Sequence, residues 1–322
     1  MSANGRLDGS AGITFDRGEQ RSYYGRPIIK EPVWKPEIPF YFFTGGLAGA
    51  SSVLSLAARL MRNERLAKRA MWIGFAGDIV SPALLVSDLG RPERFLNMLR
   101  VFKVTSPMSV GSWVLAGSGG ATATEVLCEV LGIFPRLKYV PATVAALLGG
   151  PLATYTATLI SDTAVPVWHE GRRELPFVFG ASAAASAGAA AAVALAPDDA
   201  GPARRLAVLG VVAENALMAA MEKRLGFVGE PYRKGLPGKL NRLAKATTLG
   251  GAWLLGRKGR RSRAAAVAGG SLVLAGEVAL RWAVFKAGFE SARNPEYTVG
   301  PQRERLSRAA TSGGQSPGHG SN

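Results

Sequence analysis

Residues 38–287 form a succession of apolar blocks of about 20 residues, the length a helix needs to cross a bilayer. Eight are read, at 38–60, 70–89, 109–134, 139–165, 175–196, 205–221, 240–255 and 264–287. The seventh has only a short apolar stretch, because Asn241, Arg242 and Lys245 crowd its start. Several blocks are apolar on every face and lack the polar stripe of a soluble surface helix. Short, strongly charged loops join them. Closed barrels also cross lipid, but these blocks are too long and uninterrupted for barrel strands. The expected fold is all-α, a polytopic membrane protein with eight transmembrane helices over residues 37–290. Residues 1–36 read as a polar N-terminal arm and 291–322 as a polar, disordered C-terminal tail. The arm lacks an apolar signal-peptide core, so the first block is expected to direct insertion.

The net charge is +16, which could point to nucleic acid, but the bases sit at block ends, where they meet lipid headgroups. No nucleic-acid partner is expected. The first loop carries Arg62, Arg65, Lys68 and Arg69, and the seventh carries Arg257, Lys258, Arg260, Arg261 and Arg263. Glu64 is the single acid in these two loops. The positive-inside rule places that side in the cytoplasm, leaving both termini and the 88–108 loop on the outer side of the cell membrane.

Rare residues exclude whole classes of cofactor. The one cysteine, Cys128, can neither hold an iron–sulfur cluster nor form an internal disulfide. The two histidines, His169 and His319, lie outside the blocks, and no CxxCH occurs, so neither b-type nor c-type haem is expected. No metal site is read. Any metal centres used in electron transfer must belong to partner subunits.

Charged groups in hydrocarbon are costly and usually pair or line a pathway. Asp78 lies in the second block, Glu125 and Glu129 in the third, Glu214 beside Asn215 in the sixth, and Glu277 and Arg281 in the eighth. Glu277 and Arg281 are at the i, i+4 spacing of an intrahelical ion pair. A structural pair and a proton pathway through Asp78, Glu125, Glu214, Glu277 and Arg281 are both open readings.

On the outer side, Asp88 and Arg91 end the second block, and Asp162, Trp168, His169, Glu170, Arg172 and Arg173 follow the fourth. Tyr155 sits two turns deeper, beside Thr154, Thr156 and Thr158. A tyrosine, a histidine and an aspartate at interfacial depth suit a quinone headgroup, whose two oxygens need hydrogen-bond partners and whose reduction needs protons. Ordinary interfacial anchoring by the aromatic residues is the alternative.

The linker "SDLGRPERFLNMLRVFKVTSPMSVGSW" at 87–113 is unusually elaborate for a tether. Gly90-Arg91-Pro92 should stop the second helix. Phe95, Met98, Leu99 and Phe102 recur at helical spacing, with Arg94 and Arg100 between them, so 92–103 reads as an amphipathic interfacial helix. Ser106 and Pro107 then restart a helix as cap and first-turn residue. The basic face of Arg94, Arg100 and Lys103 is expected to meet a partner.

With "DLGRP", Arg94-Phe95, Met98-Leu99 and "TSPMSVGSW" in place, and "YTATLISDTAVPVWHE" at 155–170, the chain resembles the NrfD/polysulfide-reductase membrane-subunit family. The resemblance implies a quinone-binding anchor of a multisubunit oxidoreductase of the formate dehydrogenase or polysulfide reductase type. It implies a ferredoxin-like iron–sulfur subunit and a molybdopterin catalytic subunit as partners, which hold the clusters and the molybdopterin. It implies menaquinone or ubiquinone in a site that uses the fourth-span tyrosine, here Tyr155. Family members often carry polar residues at the start of the first span, whereas this chain reads "KPEIPFYFFTGG", without Asn or His. This chain would then contribute a quinone redox site and no catalytic residues of its own.

"KVTSPMSVGSWVLAG" before the third block echoes "KATTLGGAWLLG" before the seventh, which leads to an expectation of two four-helix bundles. From another class, a stand-alone transporter or ion carrier using Asp78, Glu125 and Glu214 is the competing function.

Overall fold

Each apolar block coincides with one long helix in the computed structural model, which describes residues 28–89, 91–132 and 138–303. These are α1 (Glu37–Leu60), α2 (Glu64–Asp88), α3 (Pro107–Leu131), α4 (Tyr139–Ser161), α6 (Leu175–Ala194), α7 (Gly201–Leu225), α8 (Gly235–Arg257) and α9 (Arg263–Arg293). A short helix, α5 (Pro166–Glu170), lies between α4 and α6. Five of them, α1, α2, α4, α6 and α9, are long and apolar enough to cross a membrane. The chain is thus all-α and carries the apolar helices of a multi-pass membrane protein. The polar start of α8 is paired with α7: the Asn241 amide donates to Glu222 at 2.9 Å, and Lys245 meets the same carboxylate at 2.7 Å.

Side-chain caps set several helix starts. Asn63 accepts from the Leu66 amide at α2, Ser106 from Ser109 at α3 with Pro107 in the first turn, and Ser262 from Ala265 at α9. In the first half α1 and α3 each pack against α2 and α4, and in the second half α6 and α8 each pack against α7 and α9. The halves meet where α1 touches α6 and α9, and where α2 and α4 touch α6. Backbones approach most closely at Gly49 and Gly149, where a Cβ on either would fall 2.3 Å from the other's carbonyl oxygen. Only glycine allows α1 and α4 that separation.

Two elements differ from the expectation. The fourth block ends as helix at Ser161, and α5 begins only at Pro166. Val165 before that proline is extended, since the proline ring disfavours helical backbone in the preceding residue. His169 and Trp168 are therefore carried by a separate short helix. The expected interfacial helix over 92–103 is a 3₁₀ helix ending at Leu99 with no buried residue. Its continuation is lost because Ser109 takes the backbone groups a helix would use: its hydroxyl donates to the Val101 carbonyl and accepts from the Lys103 amide, both at 3.0 Å. Gly90, read as part of the stop of the second helix, lies outside the described residues, as do 1–27 and 304–322, with most of the N-terminal arm and C-terminal tail.

The segment before α1 is strapped across the end where α4 finishes. Trp34 stacks on Trp168 with ring centres 5.6 Å apart, the Lys35 amide donates to Asp88 at 2.9 Å, and Glu31 pairs with Arg293 at 2.8 Å. The Arg293 hydrogen bond holds the Glu31 carboxyl below the ordinary glutamate range.

Candidate functional site

One face of the C-terminal half of α4 carries Pro151, Thr154, Tyr155, Thr158, Ser161 and Asp162, spaced by three and four residues. This face lines a cleft of about 580 Å³. The opposite wall is Thr105 of the linker with Pro107 and Val110 from the start of α3, and His169, Arg172 and, from α6, Pro176 complete the lining. The volume falls in the range of small-ligand sites. Three of its polar groups, the Tyr155 hydroxyl, the Asp162 carboxylate and the His169 imidazole, have no hydrogen-bond partner among the described residues, leaving them available to a ligand. Thr156, grouped with Thr154 and Thr158 on sequence, is fully buried and lies outside the lining.

Asp162 and His169 also line a second cavity of about 460 Å³, with Glu170, Tyr297 and Gln302 on its far side. They stand between the two spaces. Burial and the Glu230 carboxylate, to which its hydroxyl donates at 2.9 Å, raise the Tyr297 phenol above its ordinary value.

The ring of Tyr155 is seated by the linker motif. A Cβ on Gly111 would fall 2.0 Å from Tyr155 Cε2, so the glycine of "VGSW" is the floor under that ring. Tyr41 of α1 packs edge-on behind it, with centres 6.4 Å apart and an interplanar angle of 67°. Tyr41 lies inside "KPEIPFYFFTGG", and its aromatic character was the only sign that this stretch supports the site. Gly111→Ala is expected to displace the Tyr155 ring and cost about 1–3 kcal/mol of stability, as overpacked sites do. Thermal unfolding in detergent micelles reads this, with Gly120→Ala, whose Cβ would meet nothing within 4 Å, as the control that should lose no stability.

Not every expected residue reaches the cleft. Trp168 is fully buried under Trp34 and donates its ring N–H to the Val284 carbonyl at 2.8 Å, so it anchors α5 to α9. Asp88 is engaged by the Lys35 amide, and Arg91 is an exposed residue of the linker. Both lie outside the lining.

Comparison with known families matches residues 21–293 to the family described as polysulfide reductase, NrfD_2. The chain belongs to the NrfD polysulfide-reductase family. No curated protein matches it.

In this NrfD-family chain the cleft mouth adjoins the basic linker. Arg94, Arg100 and Lys103 are all exposed, and Leu96, Val101, Phe102 and Val104 are exposed among them. The intramembrane charges fall in three places. Asp78 is buried beside Thr122 of α3, with no ion pair among the described residues. Glu125 is held by Arg59 of α1, whose Nη2 and Nε donate at 2.8 and 3.1 Å, with Ser55 donating at 3.4 Å. Glu214, Glu277 and Arg281 are buried together in the second half, where Ser182 donates to Glu277. Glu277 and Arg281, whose spacing allows an intrahelical pair, are not joined by a hydrogen bond among the described residues. The guanidinium instead lies 3.7 Å from the centre of the Phe179 ring and donates to the Phe179 carbonyl at 3.1 Å. The ring face rewards a cation that has no water.

Proposed function

We propose that this NrfD-family chain is the quinone-binding membrane anchor of a molybdopterin and iron–sulfur oxidoreductase of the formate dehydrogenase or polysulfide reductase type. In this reading all eight long helices span the membrane as two four-helix bundles, supported by the same neighbour pattern in α1–α4 and α6–α9. The observation that carries the reading is the cleft, where the "TSPMS" residues Thr105 and Pro107 face Tyr155, Asp162 and His169.

A quinone bound there accepts or returns two electrons with two protons. Tyr155 donates its phenolic hydrogen to a ring oxygen and orients it, with Gly111 and Tyr41 fixing the phenol. His169 holds a proton at a ring nitrogen for the second oxygen, and Asp162 lines the same cleft. Because Asp162 and His169 also line the second cavity, they link the cleft to that space. The exposed Arg94, Arg100 and Lys103 offer a basic docking face to an iron–sulfur subunit that brings electrons close to the cleft. Glu214, Glu277 and Arg281, with two acids to one base around Ser182, form a site that can hold an extra proton, and Asp78 and Glu125 extend the polar interior of the other half.

Co-purification from the native membrane tests this assignment. An anchor is expected to bring down an iron–sulfur protein and a molybdopterin protein. Ion or solute flux through vesicles containing this chain alone, with no such partners retained, would instead support the transporter reading.

A further inference from the structure

A second groove of about 580 Å³ runs along the outside of the helices below the cleft. Gly149, Gly150 and Ala153 of α4, Gly180 and Ala184 of α6 and Leu209 of α7 form its walls over a floor from α1. Thr154 lines both this groove and the cleft of Tyr155 and His169, so the two spaces adjoin at one residue. The junction is apolar: the Thr154 hydroxyl donates back to the Gly150 carbonyl at 3.2 Å, and its methyl carbon lies 3.2 Å from where a Cβ on Gly180 would be. From Asp162 to Gly150 along α4 the helical rise is about 18 Å, and the groove continues along α1 to Met61 at the opposite end.

From these observations we propose that the groove is the seat of the polyisoprenoid tail of the quinone whose ring occupies the cleft, with the tail turning past Thr154 and Gly180. This rests on the quinone reading above and adds the part of the ligand that distinguishes long-tailed from tail-less quinones. The groove lies at the depth of the hydrocarbon, where an apolar hollow is filled by an alkyl chain and not by water. Continuity with the cleft selects a chain attached to a ring already held there. The small residues Gly150, Gly180 and Ala184 are what keep the path open.

Gly150 is the position chosen for a block, because it lines the groove and a Cβ there would meet nothing within 4 Å. The test uses the full chain in phospholipid nanodiscs, titrated with 2,3-dimethyl-1,4-naphthoquinone and with the same ring bearing a long polyisoprenoid tail. In the wild type the tailed compound should bind more tightly. Gly150→Leu should weaken the tailed compound by about tenfold, the worth of roughly two buried methylenes, and leave the tail-less one unchanged. Tyr155→Phe should weaken both, since it acts on the ring. If Gly150→Leu leaves the tailed compound at wild-type affinity while Tyr155→Phe weakens both, the tail proposal is overturned and the ring site stands. If Tyr155→Phe changes neither, or neither compound binds, the ring site fails and the tail proposal falls with it. Loss of a co-purified phospholipid from Gly150→Leu, with tailed-quinone affinity unchanged, would make the groove a lipid site with Arg205 at its far mouth and would overturn the proposal.

Discussion

Arg59→Ala is expected to destabilise the folded chain by about 3–5 kcal/mol, the cost of leaving a buried carboxylate without its partner. The Arg59 side chain is fully buried and meets Glu125, itself 1% exposed, across the α1–α3 seam. Removing the guanidinium strands Glu125 and also frees Glu64 and Glu129, which lie 3.4 and 3.8 Å from Arg59. Lys68 and Lys138 stay on Glu129 at 2.7 and 3.1 Å, so the outer charges remain compensated and the loss falls on Glu125. Thermal unfolding in detergent micelles measures it. The combined Arg59→Met and Glu125→Met variant should recover most of the loss, because replacing both partners with apolar groups removes the desolvation cost as well. Equal destabilisation in the single and double variants would mean that packing, not the unpaired charge, accounts for the effect.

That ion pair shows where sequence reasoning stops. Helix positions were legible because apolar length and loop charge are local properties, and even the weakest block, at the start of α8, proved to be a helix. Glu125 was recognisable as a costly acid, but its partner lies on another helix, and Arg59 in the last turn of α1 reads as an ordinary headgroup anchor. Glu277 and Arg281 show the converse: their spacing allows an intrahelical pair, and what spacing does not reveal is the Phe179 ring and carbonyl on α6 that engage the guanidinium. At the candidate site, Tyr155, Asp162 and His169 could be grouped by depth, and they do share a cleft. Trp168 has the same depth but points the other way, under Trp34, which depth alone cannot reveal. The role of Gly111 was hidden because it consists of the space left for a ring forty-four residues later, as the Cβ distance to Tyr155 makes plain.

The second large effect concerns the cleft proposed to hold the quinone. On the proposed reading, His169→Ala removes the imidazole that supplies a proton between the cleft and the outer cavity, and general acid–base groups of this kind are worth about 10²–10⁴-fold in rate. Tyr155→Phe keeps the ring on Gly111 and against Tyr41 and removes only the hydroxyl. Its effect should be smaller, about 3–10-fold, the rate equivalent of one hydrogen bond. The ordering follows from their roles, with His169 moving a proton and Tyr155 orienting an oxygen. Both variants should insert and dock normally, because neither side chain carries a hydrogen bond to the rest of the chain among the described residues.

The most direct measurement is the rate at which substrate-reduced iron–sulfur centres of the purified complex are reoxidised by an added quinone. The account predicts rapid reoxidation in the wild type, slowing about 3–10-fold in Tyr155→Phe and at least about 10²-fold in His169→Ala, with the initial reduction by substrate unchanged. Wild-type reoxidation rates in both variants would contradict the placement of the quinone in this cleft.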